Sequence, residues 1–308
     1  MTATYLTAVL AGCGGDKTVA FKKILVPEKP HLMSVAFANA KSGWVVGDGD
    51  EILATRDGGK TWTIQQPAAK PPTPRILNTV FFVDPNIGWA GGSLGTIYVT
   101  QDGGKTWSAQ RTGVEQGILG LFFLDRAEGW AVGGYGVILH TTNGGGEWLK
   151  QNANDEHLWS VFFVDRTHGW SVGDNARVLL TSDGGASWEP VPVDVEAPLY
   201  SVFFKDPKTG WAVGREGTIL RTTNGGLRWT VQKSPVPQTL RAIRFTDAMN
   251  GWIVGEKGTI LRTRDGGESW EEAPYPKGDE PTLPNLLSLA VMKKRVWAVG
   301  EKGVVLTR

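Results

Sequence analysis

The chain has 308 residues, with 32 Lys and Arg against 31 Asp and Glu, and a formal charge of +1. That balance lacks the net field of a nucleic-acid binder, and a single cysteine excludes both an internal disulfide and a cysteine-cluster metal site. The 41 Gly and 14 Trp imply many tight turns beside many large side chains, and no stretch is long and apolar enough to span a bilayer as a helix.

Residues 1–18 read as a tether outside the folded unit. The apolar run from Tyr5 leads into Leu10-Ala11-Gly12-Cys13, which resembles the lipobox at which bacteria cut and lipidate exported proteins, although no Lys or Arg precedes it. The expectation is a lipid on Cys13 and an exported protein anchored at a periplasmic or lumenal membrane face, since several acyl chains hold where one does not.

From residue 19 to 308 one repeat governs the chain. Trp44, Trp89, Trp130, Trp170, Trp211 and Trp252 follow a glycine at steps of 40–45 residues, and Trp297 keeps the frame without it. A second ladder, Trp62, Trp107, Trp148, Trp188, Trp229 and Trp270, has the same period, so only Trp159 stands outside both. Within one period, Leu199 to Phe204, Trp211 to Val213, Thr218 to Thr222 and the segment from Trp229 are short apolar or alternating runs between turn residues, which are strands. Four strands in about 41 residues match a propeller blade. The prediction is an all-β, seven-bladed propeller of four-stranded antiparallel blades over 32–66, 77–111, 118–151, 158–192, 199–233, 240–274 and 286–308. The last blade supplies only three strands, Leu286 to Val291, Val296 to Val299 and Val304 to Thr307. Counting eleven residues back from Leu32, the usual spacing from second-ladder Trp to next blade, lands on Phe21. Residues 19–25 are therefore expected to close the ring as its outer strand, with Phe21 in the tryptophan's place, which removes the exposed inner edge.

The second ladder ends a recurring box, first seen as "TRDGGKTW" at 55–62. Its Asp can accept backbone N–H bonds and its glycines tolerate positive φ. The buried Trp is worth roughly 4 to 6 kcal/mol gross by area. The box is a fastener, on the same rim as turns such as "DPKTGW". "TQDGGKTW", "TSDGGASW" and "TRDGGESW", with the Asn variants "TTNGGGEW" and "TTNGGLRW", resemble the Asp-box of BNR repeats. The fuller pattern "F…D…GWAVG…G.IL.T.DGG..W", running from 32 to 308, resembles the Ycf48/HCF136 family of photosystem II assembly and stability factors and their bacterial relatives. That resemblance implies a seven-bladed propeller that binds protein and is not an enzyme, lipid-anchored or lumenal, with its binding face on the rim away from the boxes.

Competing motifs fall to the repeat. "GWSVG" at 169–173 fits a hydrolase elbow, but Ser171 occupies the mid-strand slot of Val45, Ala131, Ala212 and Ile253. "GGKT" at 58–61 and 103–106 lacks the earlier glycine of a phosphate loop. His31, His140, His157 and His168 show no metal spacing, and "PRIL" at 74–77 departs from the sialidase motif. No catalytic residue, metal or cofactor is expected.

Positions that break a repeat are its candidates for function. One slot of the first strand reads Met33, Asn78, Leu119, Trp159, Tyr200, Arg241, Leu287, placing three hot-spot residue types in consecutive blades. A later slot is apolar in six blades, but holds Arg244 in the sixth. A charge at a core-like place needs a partner, water or a ligand. Residues 215–264 hold nine Lys and Arg against three acids, whereas 155–196 hold eight acids against two Arg. The expected partner site is Trp159, Tyr200, Arg241, Arg244, Arg215 and Lys257, taking a membrane protein or its exported segment, with no nucleic acid and a monomeric ring. The alternative is a carbohydrate-active or carbohydrate-binding propeller of the sialidase type.

Overall fold

The computed structural model describes residues 20–26, 31–66, 75–151, 156–276 and 281–308. Cys13, and with it the tether, lies outside the described residues. Seven four-stranded antiparallel sheets follow one another along the chain. In blade five the strands are Leu199–Phe204, Gly210–Gly214, Ile219–Thr222 and Thr230–Gln232, each within two residues of the sequence-based bounds. First strands touch consecutively around the ring, and that of blade one (Leu32–Phe37) touches that of blade seven (Leu286–Met292), so the first strand is innermost.

Closure is as expected. Lys22–Leu25 pairs antiparallel with Val304–Thr307, in register Lys22 to Thr307, as the outer strand of blade seven. Phe21 is buried immediately before it.

The blades are joined by a repeated aromatic device. The Trp on six of the seven second strands stacks on the phenyl ring that ends the next blade's first strand. Trp44 on Phe82, Trp130 on Phe163 and Trp297 on Phe37 have ring centroids 3.5–3.7 Å apart. The same phenyl takes its own blade's box Trp edge-on, as Phe82 takes Trp107 at 5.9 Å and 87°. The stacked indole N–H then donates to a glycine carbonyl of the next blade's box: Trp44 to Gly103, Trp130 to Gly184 and Trp297 to Gly58, at 2.9–3.1 Å. The box thus fastens neighbouring blades as well as its own strands.

The box itself is a hydrogen-bonded knot. Asp57 Oδ1 accepts from the Lys60 and Thr61 amides, and Oδ2 accepts from the Thr61 hydroxyl. The two Asn boxes carry Glu147 and Arg228 where the Asp boxes carry Thr61, Thr106, Ser187 and Ser269. An amide nitrogen offers that hydroxyl no acceptor, which accounts for the exchange. Hydroxyl donation from Thr106 and Ser187 holds Asp102 and Asp183 down at about 2. Asp57 is also pulled well below the usual carboxylate range, first by the Thr61 hydroxyl. At Asp265 burial pushes up, but bonds from Ser269 and Thr263 prevail, at about 2.

Two outcomes follow. Gly104 has φ +89°, and an added Cβ would lie 2.9 Å from the Trp44 indole nitrogen and 2.6 Å from Gln65 Oε1. Gly104→Ala should therefore cost about 2–4 kcal/mol in urea unfolding, through both strain and displacement of the indole. The box carboxylates ionise more readily folded than unfolded, so their stabilisation is present above the unfolded value of 3.8 and is lost as pH falls towards about 2. Replacing Asp57, Asp102, Asp183 and Asp265 together by Asn should flatten the fall in thermal midpoint between pH 4 and pH 2, at lower stability near neutrality.

Candidate functional site

The two rims differ in chemistry. On the box rim, Asp84, Asp125, Asp165, Asp206 and Asp247 cap the turns between first and second strands by accepting backbone N–H bonds two and three residues on. The box glycine amide donates into the same turn, as Gly103 does to the Asn86 carbonyl, so boxes and turns share one rim. The opposite rim is built from tips joining second and third strands. Each tip is tied to the residue that precedes its own first strand, as Asp174 N donates to the His157 carbonyl and Arg215 N to that of Pro198.

Those tips place non-glycine residues in left-handed backbone. Tyr135, Glu216, Lys257 and Lys302 have φ between 52° and 58°. Such a conformation costs an L-residue roughly 1–2 kcal/mol. Tyr135 meets this cost with its side chain 68% exposed, so its own burial does not offset it.

Across blades three to six these tips and first strands form a continuous row. The Tyr135 ring lies 5.0 Å from His157, and His157 lies 6.2 Å from Trp159. Trp159 meets Tyr200 at 5.6 Å and 69°. The Arg241 guanidinium stands 4.2 Å over the Tyr200 ring, a cation–π contact. Two acids fix the row: Asp174 Oδ1 accepts the Trp159 indole N–H at 2.7 Å, and Glu256 Oε1 accepts from Arg241 Nη2 at 2.6 Å. All three central residues are partly exposed. The slot reading thus places Trp159, Tyr200 and Arg241 in direct contact.

Arg215 and Lys257 stand on the blade-five and blade-six tips of the same rim, with Arg215 Nε 3.7 Å from Glu216. Arg244 lies deeper, in the axial channel, where burial lowers its guanidinium to about 10 and leaves it charged at neutral pH. Tyr135, His157, Asp174 and Glu256 complete the row and were not singled out from sequence. Tyr135 sits in a tip unlike those of the other blades, which is its sequence signal, whereas Glu256 sits in a Glu-Lys-Gly tip that blade seven repeats and so carries none.

Part of each charge block is spent on ion pairs. Arg221 pairs with Glu268, Arg264 with Glu271 and Arg241 with Glu256, while Glu156 pairs with Arg177. Members of each block are shared between the rims, because one blade visits both. Ser171 is fully buried and donates to the Ser160 carbonyl at 3.0 Å, a structural hydroxyl. Among the described residues no cluster of three or more metal-ligating side chains occurs.

A family model described as photosynthesis system II assembly factor YCF48 matches residues 15–72, 66–156, 149–231 and 228–308. The chain is similar to a structure described as "YCF48 bound to D1 peptide", at 20% identity and TM-score 0.79 over 94% of this chain and 95% of the other. It is similar to YCF48 from Cyanidioschyzon merolae, at 22% identity and TM-score 0.78 over 94% and 98%. Virginiamycin B lyase from Staphylococcus aureus, an enzyme, has the same fold at 14% identity and TM-score 0.78 over 93% and 98%. At these identities the structural likenesses carry the fold alone. No curated protein matches the sequence.

Proposed function

The chain belongs to the family of the photosystem II assembly factor YCF48, and from that premise we propose that it is a non-catalytic scaffold that holds a segment of a membrane protein during assembly or stabilisation of its complex. The observation that carries this reading is the row Tyr135–His157–Trp159–Tyr200–Arg241, preorganised by Asp174 and Glu256. Large rings and a guanidinium, already fixed in place and partly exposed, are what a peptide can be pressed against at low entropic cost. A related YCF48 with a D1 peptide bound supports a protein partner. The carbohydrate-active alternative is not favoured by the family match.

Arg215 and Lys257 flank the row and would meet acidic groups of the partner, setting its approach more than its residence time. The ring would act as a monomer. Nothing in this reading requires a metal or cofactor. Export and anchoring through Cys13 belong to the same proposal, supported by the Leu10-Ala11-Gly12-Cys13 motif, and would put the row on the periplasmic or lumenal side, where exported segments lie.

A D1 peptide titrated by fluorescence should bind the wild-type protein and lose about 30-fold or more in affinity on Trp159→Ala, with comparable losses for Tyr200→Ala and Arg241→Ala. Circular dichroism and unfolding should show the fold retained. Equal affinities in all four proteins would remove the row from the binding site, and turnover of fluorogenic sialosides by the purified protein would overturn the scaffold reading. For the anchor, Cys13→Ser should move the expressed protein from the membrane fraction to the soluble fraction and abolish incorporation of labelled fatty acid; unaltered partitioning and labelling would exclude Cys13.

A further inference from the structure

The axial channel is lined by the first strands, and its lining is broken at one place. Phe81, Phe122, Phe162 and Phe203 follow one another around it with ring centroids 5.1–5.5 Å apart. Blade six puts Arg244 at the equivalent place, and blades seven and one put Ala290 and Ala36 there. The missing phenyl volume leaves a cavity of about 270 Å³ beside the guanidinium, lined also by Ser34 and Ser288.

Arg244 is poorly compensated. Its Nη1 donates to the Ile243 carbonyl at 2.7 Å and to Ser201 Oγ at 3.4 Å, and both acceptors are neutral. Three of its five N–H donors lie outside these bonds. Among the described residues, no carboxylate forms an ion pair with it, although Arg241 on the same strand has Glu256. A cation in a largely enclosed channel without a counter-charge is costly, and an anion that shares the site offsets part of that cost.

The hydroxyls beside it are oriented to help. Ser34 Oγ accepts from the Val80 amide and Ser288 Oγ from the Val35 amide, at 3.2 and 3.3 Å. A serine oxygen occupied as an acceptor keeps its own proton to donate. We propose that the cavity is a binding site for a carboxylate group, clamped by the Arg244 guanidinium and the hydroxyls of Ser34 and Ser288. A planar guanidinium fork matches a carboxylate with two parallel N–H···O bonds. This site lies in the channel beneath the aromatic row, which it adjoins, and its argument does not rest on the scaffold reading.

Acetate is the probe. Saturation-transfer NMR on the wild-type protein should show bound acetate. The thermal midpoint should rise by about 2 °C or more as acetate replaces chloride at constant ionic strength. Both responses should vanish in Arg244→Gln and in Arg244→Phe, the latter restoring the residue type of four sister blades and so keeping the channel packed. Trp159→Ala should leave them unchanged, which separates this site from the peptide row. Competition by trialanine with a free C-terminus but not by its amide would assign the carboxylate to a chain end, whereas competition by neither would assign it to a free small acid. No acetate signal in the wild type, or equal responses in wild type and Arg244 variants, would overturn the proposal.

Discussion

Around the ring, an indole N–H of one blade reaches a glycine carbonyl in the box of the next while its ring lies flat on that blade's terminal phenyl. Trp44, Trp89, Trp130, Trp170, Trp211 and Trp297 all do so, with N–H···O distances of 2.9–3.3 Å. Each contact combines a large apolar burial with one directional bond, and at Gly59, Gly104, Gly226 and Gly267 an added Cβ would press on the indole itself. Neighbouring sheets in a propeller share no backbone ladder, so their mutual angle must be set by side chains. Here one kind of side chain sets it six times.

This arrangement separates structure from recognition. The fasteners use the box rim, and the carboxylates there are consumed by turns and boxes. The tip rim carries none of that burden: its backbone ties run from tip amide to the residue before the first strand and are indifferent to side chains. Side chains on tips and the adjoining first-strand slot can vary without loosening the ring. The row from Tyr135 to Arg241 occupies that permissive zone, and its left-handed tips are tolerated because the surrounding blade over-determines them.

Most of the architecture was legible because a repeat states its structural positions several times over. The period, the blade count, the closing strand and the rim of the boxes all came from spacing. The site was legible only in part. Trp159, Tyr200 and Arg241 stood out as departures at one slot, but their contacts with His157, Asp174 and Glu256 depend on where tips fold back over the first strand. The charge blocks overstate the free charge for a related reason. A window of fifty residues crosses both rims, and partners such as Glu268 and Glu271 lie just outside it. Linear charge density therefore says little about a surface when each blade alternates between faces.

The seam between blades six and seven shows what happens when the device is incomplete. Blade seven ends its first strand near Val291 rather than a phenylalanine, and its outer strand comes from the other end of the chain without a box. Trp252 consequently has no phenyl to lie on. Phe21, standing where a box Trp would stand, meets it edge-on at 5.3 Å and 87°, and Arg262 and Arg308 cover it at 5.2 and 4.7 Å. Edge-on and cation–π contacts replace the stack, and each is worth about 1 kcal/mol. The four-residue ladder from Lys22 to Leu25 lies within blade seven, where it pairs with Val304–Thr307 and brings Phe21 to that seam. Drawing both chain ends into one blade makes that ladder join residues nearly 300 apart in sequence, so it carries a loop-closure cost that the ladders between consecutive strands do not. Closure and the contact between blades six and seven are thus coupled, because the chain segment that pairs with Val304–Thr307 also carries Phe21 against Trp252.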